Sequence, residues 1–143
     1  MPLLPGQPVL GDLSPEIVWA TYTPTLGQGG TVTATVNSAR YAVLGKLLFV
    51  SVTLTATASG TGSNNITVSL PVSVVSSGKY CVGQFAFLDL SLGTWQFGMA
   101  FLGSATQLLC VRNDKTGPLG SAGDAVTLAS GDILSGLVVA ELP

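Results

Sequence analysis

The chain has 143 residues, of which 8% are charged and 47% hydrophobic, with a net charge of −2 and no histidine. That length suits one domain, which can bury roughly two-thirds of the surface its unfolded chain exposes. Its five basic residues (Arg40, Lys46, Lys79, Arg112 and Lys115) are scattered, which excludes a cationic stripe for nucleic acid, and no apolar run reaches the ~18 residues of a membrane-spanning helix.

The first sixteen residues read as an extended arm. Pro2, Pro5, Pro8 and Pro15 are spaced among Leu3, Leu4, Val9, Leu10 and Leu13. Proline at that density forbids a helix and favours a polyproline-like path. A plain disordered tail would be polar, so the five aliphatics make this a docking arm, with a flexible tail or an arm folded onto its own domain as alternatives. No basic residue precedes an apolar stretch here, and the prolines break the helical segment a secretory signal needs. A protein made in the cytoplasm and not exported by a signal peptide is expected.

Residues 17–143 form the second unit, and period-two alternation dominates it. Val32, Ala34 and Val36 alternate with Thr31, Thr33 and Thr35. Within residues 46–57, Leu48, Val50, Val52, Leu54 and Ala56 share one parity while Ser51, Thr53, Thr55 and Thr57 share the other, the pattern of a half-buried strand. Ile66, Val68 and Leu70 repeat it. Gly27-Gln28-Gly29-Gly30, Gly60-Thr61-Gly62-Ser63-Asn64-Asn65, Ser76-Ser77-Gly78 and Gly117-Pro118-Leu119-Gly120 are turn compositions. Further strands are expected over residues 80–90, 94–102, 107–112, 125–128 and 134–142. No segment carries the spacing of an amphipathic helix. The expectation is an all-β, antiparallel sandwich or barrel. The later strands are apolar on both parities, as in Leu137-Val138-Val139-Ala140, and strands buried on both faces need a second cover. In so small a domain that cover is expected from another chain.

Catalytic chemistry finds little to work with. Without histidine, the commonest general base near neutral pH and the commonest metal ligand are both missing. The seven carboxylates include no calcium-loop spacing. Asp124 and Asp132 each follow a glycine in a turn composition, where aspartate commonly caps its own backbone. Gly60-x-Gly62 precedes a strand rather than a helix and cannot hold a phosphate at a helix N-terminus. The chain is read as non-enzymatic, with no cofactor and no metal. Cys81 and Cys110 are expected as two small buried thiols, with a disulfide left open. Phe85, Phe87, Trp95, Phe97 and Phe101 are expected in the core. Trp19, Tyr22 and Tyr41 stand near strand ends, open to an interface role or a core role.

Trp19-x-x-Tyr22-Thr23-Pro24-Thr25, Thr31-Val32-Thr33, Arg40-Tyr41-x-x-x-Gly45-Lys46-Leu47-x-x-Val50-x-Val52-x-Leu54-Thr55 and Ile66-x-Val68-x-Leu70-Pro71 together resemble a recurring β-module of phage virions. The resemblance returns in Ala129-Ser130-Gly131-Asp132-x-Leu134-x-Gly136-x-x-x-x-Glu141. It implies a jelly-roll-like β-sandwich assembling as a homotrimer on the particle surface. With only the apolar arm ahead of the sandwich and no fibre shaft, the layout looks more like a capsid decoration (cement) protein than a tail fibre. On that reading the partners are copies of the chain itself and the major capsid protein or another virion protein. Interface residues would be Leu3, Leu4, Val9, Leu10, Leu13, Trp19, Tyr22 and Tyr41. The alternative is a short receptor-binding or tail-tip protein that recognises host saccharide through loops such as residues 59–65 and 114–124.

Overall fold

A computed structural model describes residues 17–77 and 81–143. The expected arm over residues 1–16, with Leu3, Leu4, Val9, Leu10 and Leu13, lies outside the described residues. The described residues hold ten strands and no helix: β1 (Ala20–Thr21), β2 (Leu26–Gly27), β3 (Thr31–Val32), β4 (Ala34–Leu44), β5 (Leu47–Ala56), β6 (Thr67–Ser69), β7 (Cys81–Asp89), β8 (Thr94–Ser104), β9 (Gln107–Arg112) and β10 (Ile133–Glu141). Every pairing is antiparallel. The protein is all-β, as its alternation requires.

Hydrogen bonding joins the ten strands into one sheet in the order β1-β4-β5-β10-β7-β8-β9-β6-β2-β3. This order forces the sheet to curl. In a flat sheet β3 and β4 would stand eight strand spacings apart in that order, about 38 Å at ~4.8 Å each. They are separated in the chain by Thr33 alone, a reach of at most about 7 Å. The sheet therefore bends into a half-barrel whose two ends share one stretch of backbone. A hydrogen bond from the Thr57 amide to the Thr33 carbonyl (2.8 Å) ties that corner to the end of β5.

The concave side holds the core. The apolar parity of β5 (Leu48, Val50, Val52, Leu54 and Ala56) is wholly buried, and it packs with Phe85 and Phe87 of β7, Leu102 of β8, Leu108 of β9 and Val138 of β10. Each valine, leucine or phenylalanine among them contributes about 1.5–3 kcal/mol on burial. The β4–β5 hairpin turns in two residues, and Gly45 supplies the positive φ (59°) that its first position demands.

One expected strand is absent. Residues 125–128 form a loop, because their backbone groups are satisfied elsewhere. The Gln28 carboxamide donates to the Val126 carbonyl (2.7 Å) and accepts from the Leu128 amide (2.8 Å), while the Gly60 amide donates to the Leu128 carbonyl (2.9 Å). With a side chain serving those groups, no neighbouring strand is needed.

Candidate assembly surface

The convex face is where the structure departs most from a closed globule. In β10, Leu134, Val138 and Ala140 point into the core, so the opposite parity points out and leaves Leu137 59% and Val139 42% exposed. In β8, Ala100 and Leu102 point in, which turns Trp95, Phe97 and Met99 outward at 48%, 62% and 46% exposure. Strand β7 lies between them and places Ala86 opposite Phe97 and Ser135, and Gln84 opposite Met99 and Leu137. Its short and polar side chains leave a low strip flanked by the tall residues of β8 and by Leu137. The result is an open trough of ≈ 350 Å³ lined by Ser51, Gln84, Ala86, Phe97, Ser135 and Leu137, among others. No side chain in the spans 84–88, 95–101 and 133–139 carries a charge.

The aromatic expectation is thereby split. Phe85 and Phe87 are buried, 4% and 0% exposed, as core packing requires. Trp95 and Phe97 are not core residues, and Phe101 is only half-buried. The interior opposite β8 is already filled: a Cβ at Gly98 would lie 2.5 Å from Phe85 Cε1. Gly98 and Ala100 therefore face inward beside Phe85, and the rings of Trp95 and Phe97 face solvent.

The cysteines are also corrected. Cys110 is buried, and burial pushes its thiol up to about 12. Cys81 is exposed, on the same convex face, with its thiol 3.2 Å from Met99 Sδ. Both are free. Strand β8 separates them, and they occupy opposite faces of the sheet, so a disulfide between them is geometrically excluded.

Of the residues singled out for an interface, Trp19 is 43% exposed and carries the Arg40 guanidinium over its ring at 5.5 Å. Tyr22 and Tyr41 are part-buried and packed against the core, their rings edge to face at 6.0 Å. The Tyr22 hydroxyl donates to the Ser69 carbonyl (3.4 Å), linking the β1 end of the sheet to β6 near the other end, and burial pushes its pKa up to about 12. Trp19 lies at the β1–β4 end, and the Arg40 that covers its ring stands on β4 directly opposite Ser51, a residue of the trough's β5 wall. Tyr22 and Tyr41 thus pack on the core side, away from the convex apolar face, whereas Trp19 lies outside its cluster of β8 and β10 side chains, at the far side of β4. The spacing-based reading missed Phe97, Met99 and Leu137, although the doubled apolar parity of the later strands was the signal for them.

Three carboxylates, Asp89, Asp124 and Asp132, hold loops. Asp132 accepts from the Ala129 amide (2.8 Å) and the Leu90 amide (3.0 Å), capping its own turn as expected and pinning the β7–β8 loop. Asp124 does not cap its own turn. Its carboxylate takes the Arg112 guanidinium, with Nε at 2.7 Å from Oδ2. Among the described residues no three His, Cys, Asp or Glu side chains gather as a metal site needs, and no helix is long and apolar enough to cross a membrane. A second depression, ≈ 360 Å³, lies over β2, β3 and β6 and is lined by neutral polar side chains including Thr25, Gln28, Asn64, Asn65, Ser69 and Gln107. The 59–65 loop contributes to it and the 114–124 loop does not. No family model matches the chain, and neither curated proteins nor solved structures provide a match.

Proposed function

We propose that the chain is a non-enzymatic structural component of a phage particle: a capsid decoration protein, trimeric, that binds the assembled shell from outside. The observation that carries this reading is the uncharged apolar face on β7, β8 and β10, open to solvent in the single chain. A contiguous apolar patch of several hundred Å² is about the largest a typical monomer carries, and such a patch is often a functional surface. In its finer form the proposal takes the curled sheet as flattened into two facing layers, a jelly-roll-like sandwich, which is what the resemblance to virion β-modules implies. The partners are copies of the chain and the major capsid protein, and the location is the particle surface, reached from the host cytoplasm.

The function is thermodynamic. A protein that binds only the assembled shell stabilises it by mass action, and three weak arms on one trimer gain affinity through effective concentration. Sedimentation of the purified protein together with binding to undecorated particles tests this. The full chain is expected to be oligomeric and to coat particles, and deletion of residues 2–13 to leave a folded oligomer that no longer does so. Undiminished coating by the truncated chain would remove the arm from the mechanism.

The neutral groove over β2, β3 and β6 favours a second reading, a receptor-binding protein that recognises saccharide. Its donors and acceptors suit hydroxyls, but none of its lining residues is an aromatic platform for a sugar ring. Glycan-array binding abolished by Asn65→Ala together with Gln107→Ala would establish that reading over the first.

A further inference from the structure

We infer that the convex face of β7, β8 and β10 is covered by a second copy of this chain, with Phe97 of one copy seated in the trough between Phe97 and Leu137 of the other. The inference rests on the structural-module reading and names the partner of that surface.

Area is the first argument. Taking large side chains at about 150–250 Å² each, the open fractions of Trp95, Phe97, Met99, Leu137 and Val139 leave on the order of 500 Å² of apolar surface. A stable interface buries about 800 Å² per partner with an apolar centre and a polar rim. The patch is thus the right size for the centre, and Gln84, Ser51 and Ser135 supply hydrogen-bonding groups beside it.

Charge is the second. The spans 84–88, 95–101 and 133–139 carry no charge, and Arg40 stands at the β5 rim opposite Ser51, so a second copy brings the same neutral surface to the centre without a like-charge penalty there. Shape is the third. The face carries a protruding ring, Phe97 at 62% exposure, directly beside a trough floored by Ala86 and Ser135. The floor of the hollow begins one strand spacing from Phe97, at Ala86, about 5 Å away, and extends to Ser135 at two spacings, about 10 Å. Ring and hollow are different parts of one face. Each copy can therefore seat its ring in one neighbour and receive the ring of another, the head-to-tail arrangement that closes a cycle such as a trimer.

Cys81 provides a reporter within the same patch, because its thiol touches Met99 while Cys110 is buried. The test compares wild type with Phe97→Glu and Leu137→Glu, reading mass by sedimentation, fold by circular dichroism, and the rate of Cys81 labelling with a maleimide. Both side chains are mostly solvent-exposed in the single chain, so the variants keep the fold, and Phe97→Ser serves as a milder third variant. Wild type is expected to be an oligomer with slow labelling. Each glutamate variant is expected to weaken self-association on the order of 30-fold or more, the loss of a central interface residue, and to label faster. Variants that retain the wild-type mass and labelling rate would overturn this inference alone, since copies would then join through another surface. Faster Cys81 labelling on deletion of residues 2–13, with the mass unchanged, would overturn it in favour of the arm as the occupant. A wild type that stays monomeric at high concentration and ignores viral particles would overturn the structural-module reading as well.

Discussion

Replacing Arg112 with methionine removes one half of a buried ion pair while keeping the length of the side chain. Arg112 ends β9 and its guanidinium meets both oxygens of Asp124 as well as the Gln96 side chain. The Asp124 side chain is 0% exposed and that of Arg112 14%. The hydrogen bond to Asp124 holds the guanidinium above its usual range, against the opposing effect of burial. In the variant a carboxylate is stranded without a cation, which costs about 3–5 kcal/mol out of a total stability of about 5–15 kcal/mol. With a urea m-value near 2 kcal/mol/M, the midpoint should fall by roughly 2 M at unchanged slope. Removing both charges, Arg112→Met with Asp124→Leu, should recover most of that loss, since a buried pair replaced by apolar residues is often neutral. Urea unfolding of the three proteins at one protomer concentration decides it, because self-association shifts apparent stability. A single variant within about 1 kcal/mol of wild type, or a double variant no better than the single, would refute this account of Asp124.

Two glycines of the sheet should respond in opposite directions. A Cβ at Gly83 would run into the Leu137 carbonyl oxygen and come within 2.8 Å of Val138 Cα, so Gly83→Ala should destabilise by about 1–3 kcal/mol. At Gly136 the nearest atoms are Gln84 O at 3.5 Å and Val52 Cγ1 at 3.8 Å, and Gly136→Ala should be neutral or gain about 0.5–1 kcal/mol; paired thermal melts measure both. Alkaline pH should weaken the fold. Burial raises Cys110 and Tyr22 to about 12, whereas unfolded thiol and phenol titrate near 8.5 and 10. Between about pH 8.5 and 12 the unfolded chain therefore holds fewer protons than the folded one, and stability falls as pH rises, having been fully present below that window. Urea midpoints across the range should show this decline, and Cys110→Ala should flatten its lower part.

Strand positions were legible wherever one face of a strand is polar. Period two placed a strand over residues 46–57 and the structure has Leu47–Ala56; residues 107–112 matched β9. Where both parities are apolar, alternation shows that a strand exists without showing which side faces in. In β8 the decision belongs to a neighbour, since Phe85 already occupies the space in front of Gly98. The Arg112–Asp124 pair and the Gln28 contacts were illegible for a related reason. Gln28 reaches Val126 and Leu128 across 98 and 100 positions, and nothing local in Gly27-Gln28-Gly29 marks its amide as the anchor of a distant loop. The convex patch stood between these cases: its residues were visible as a need for a second cover, but their position waited on the order of the strands.

That order also bears on the kind of association the fold permits. An open sheet has two ways to join its copies, through unpaired backbone at an edge or through side chains on a face, and the first propagates readily into fibres. Here the terminal strands β1 and β3 are two residues each, and the curl brings the sheet ends together around Thr33. Beyond Arg40 and Tyr41, however, the outer edge of β4 has no strand partner among the described residues, so the short end strands blunt the edge without closing it. Also open is a face whose ring and trough are fixed on three long central strands, β7, β8 and β10. On the proposed self-association, contacts made on that face depend on side-chain shape and can close on a small number of copies once the faces are filled, whereas pairing along the β4 edge would propagate.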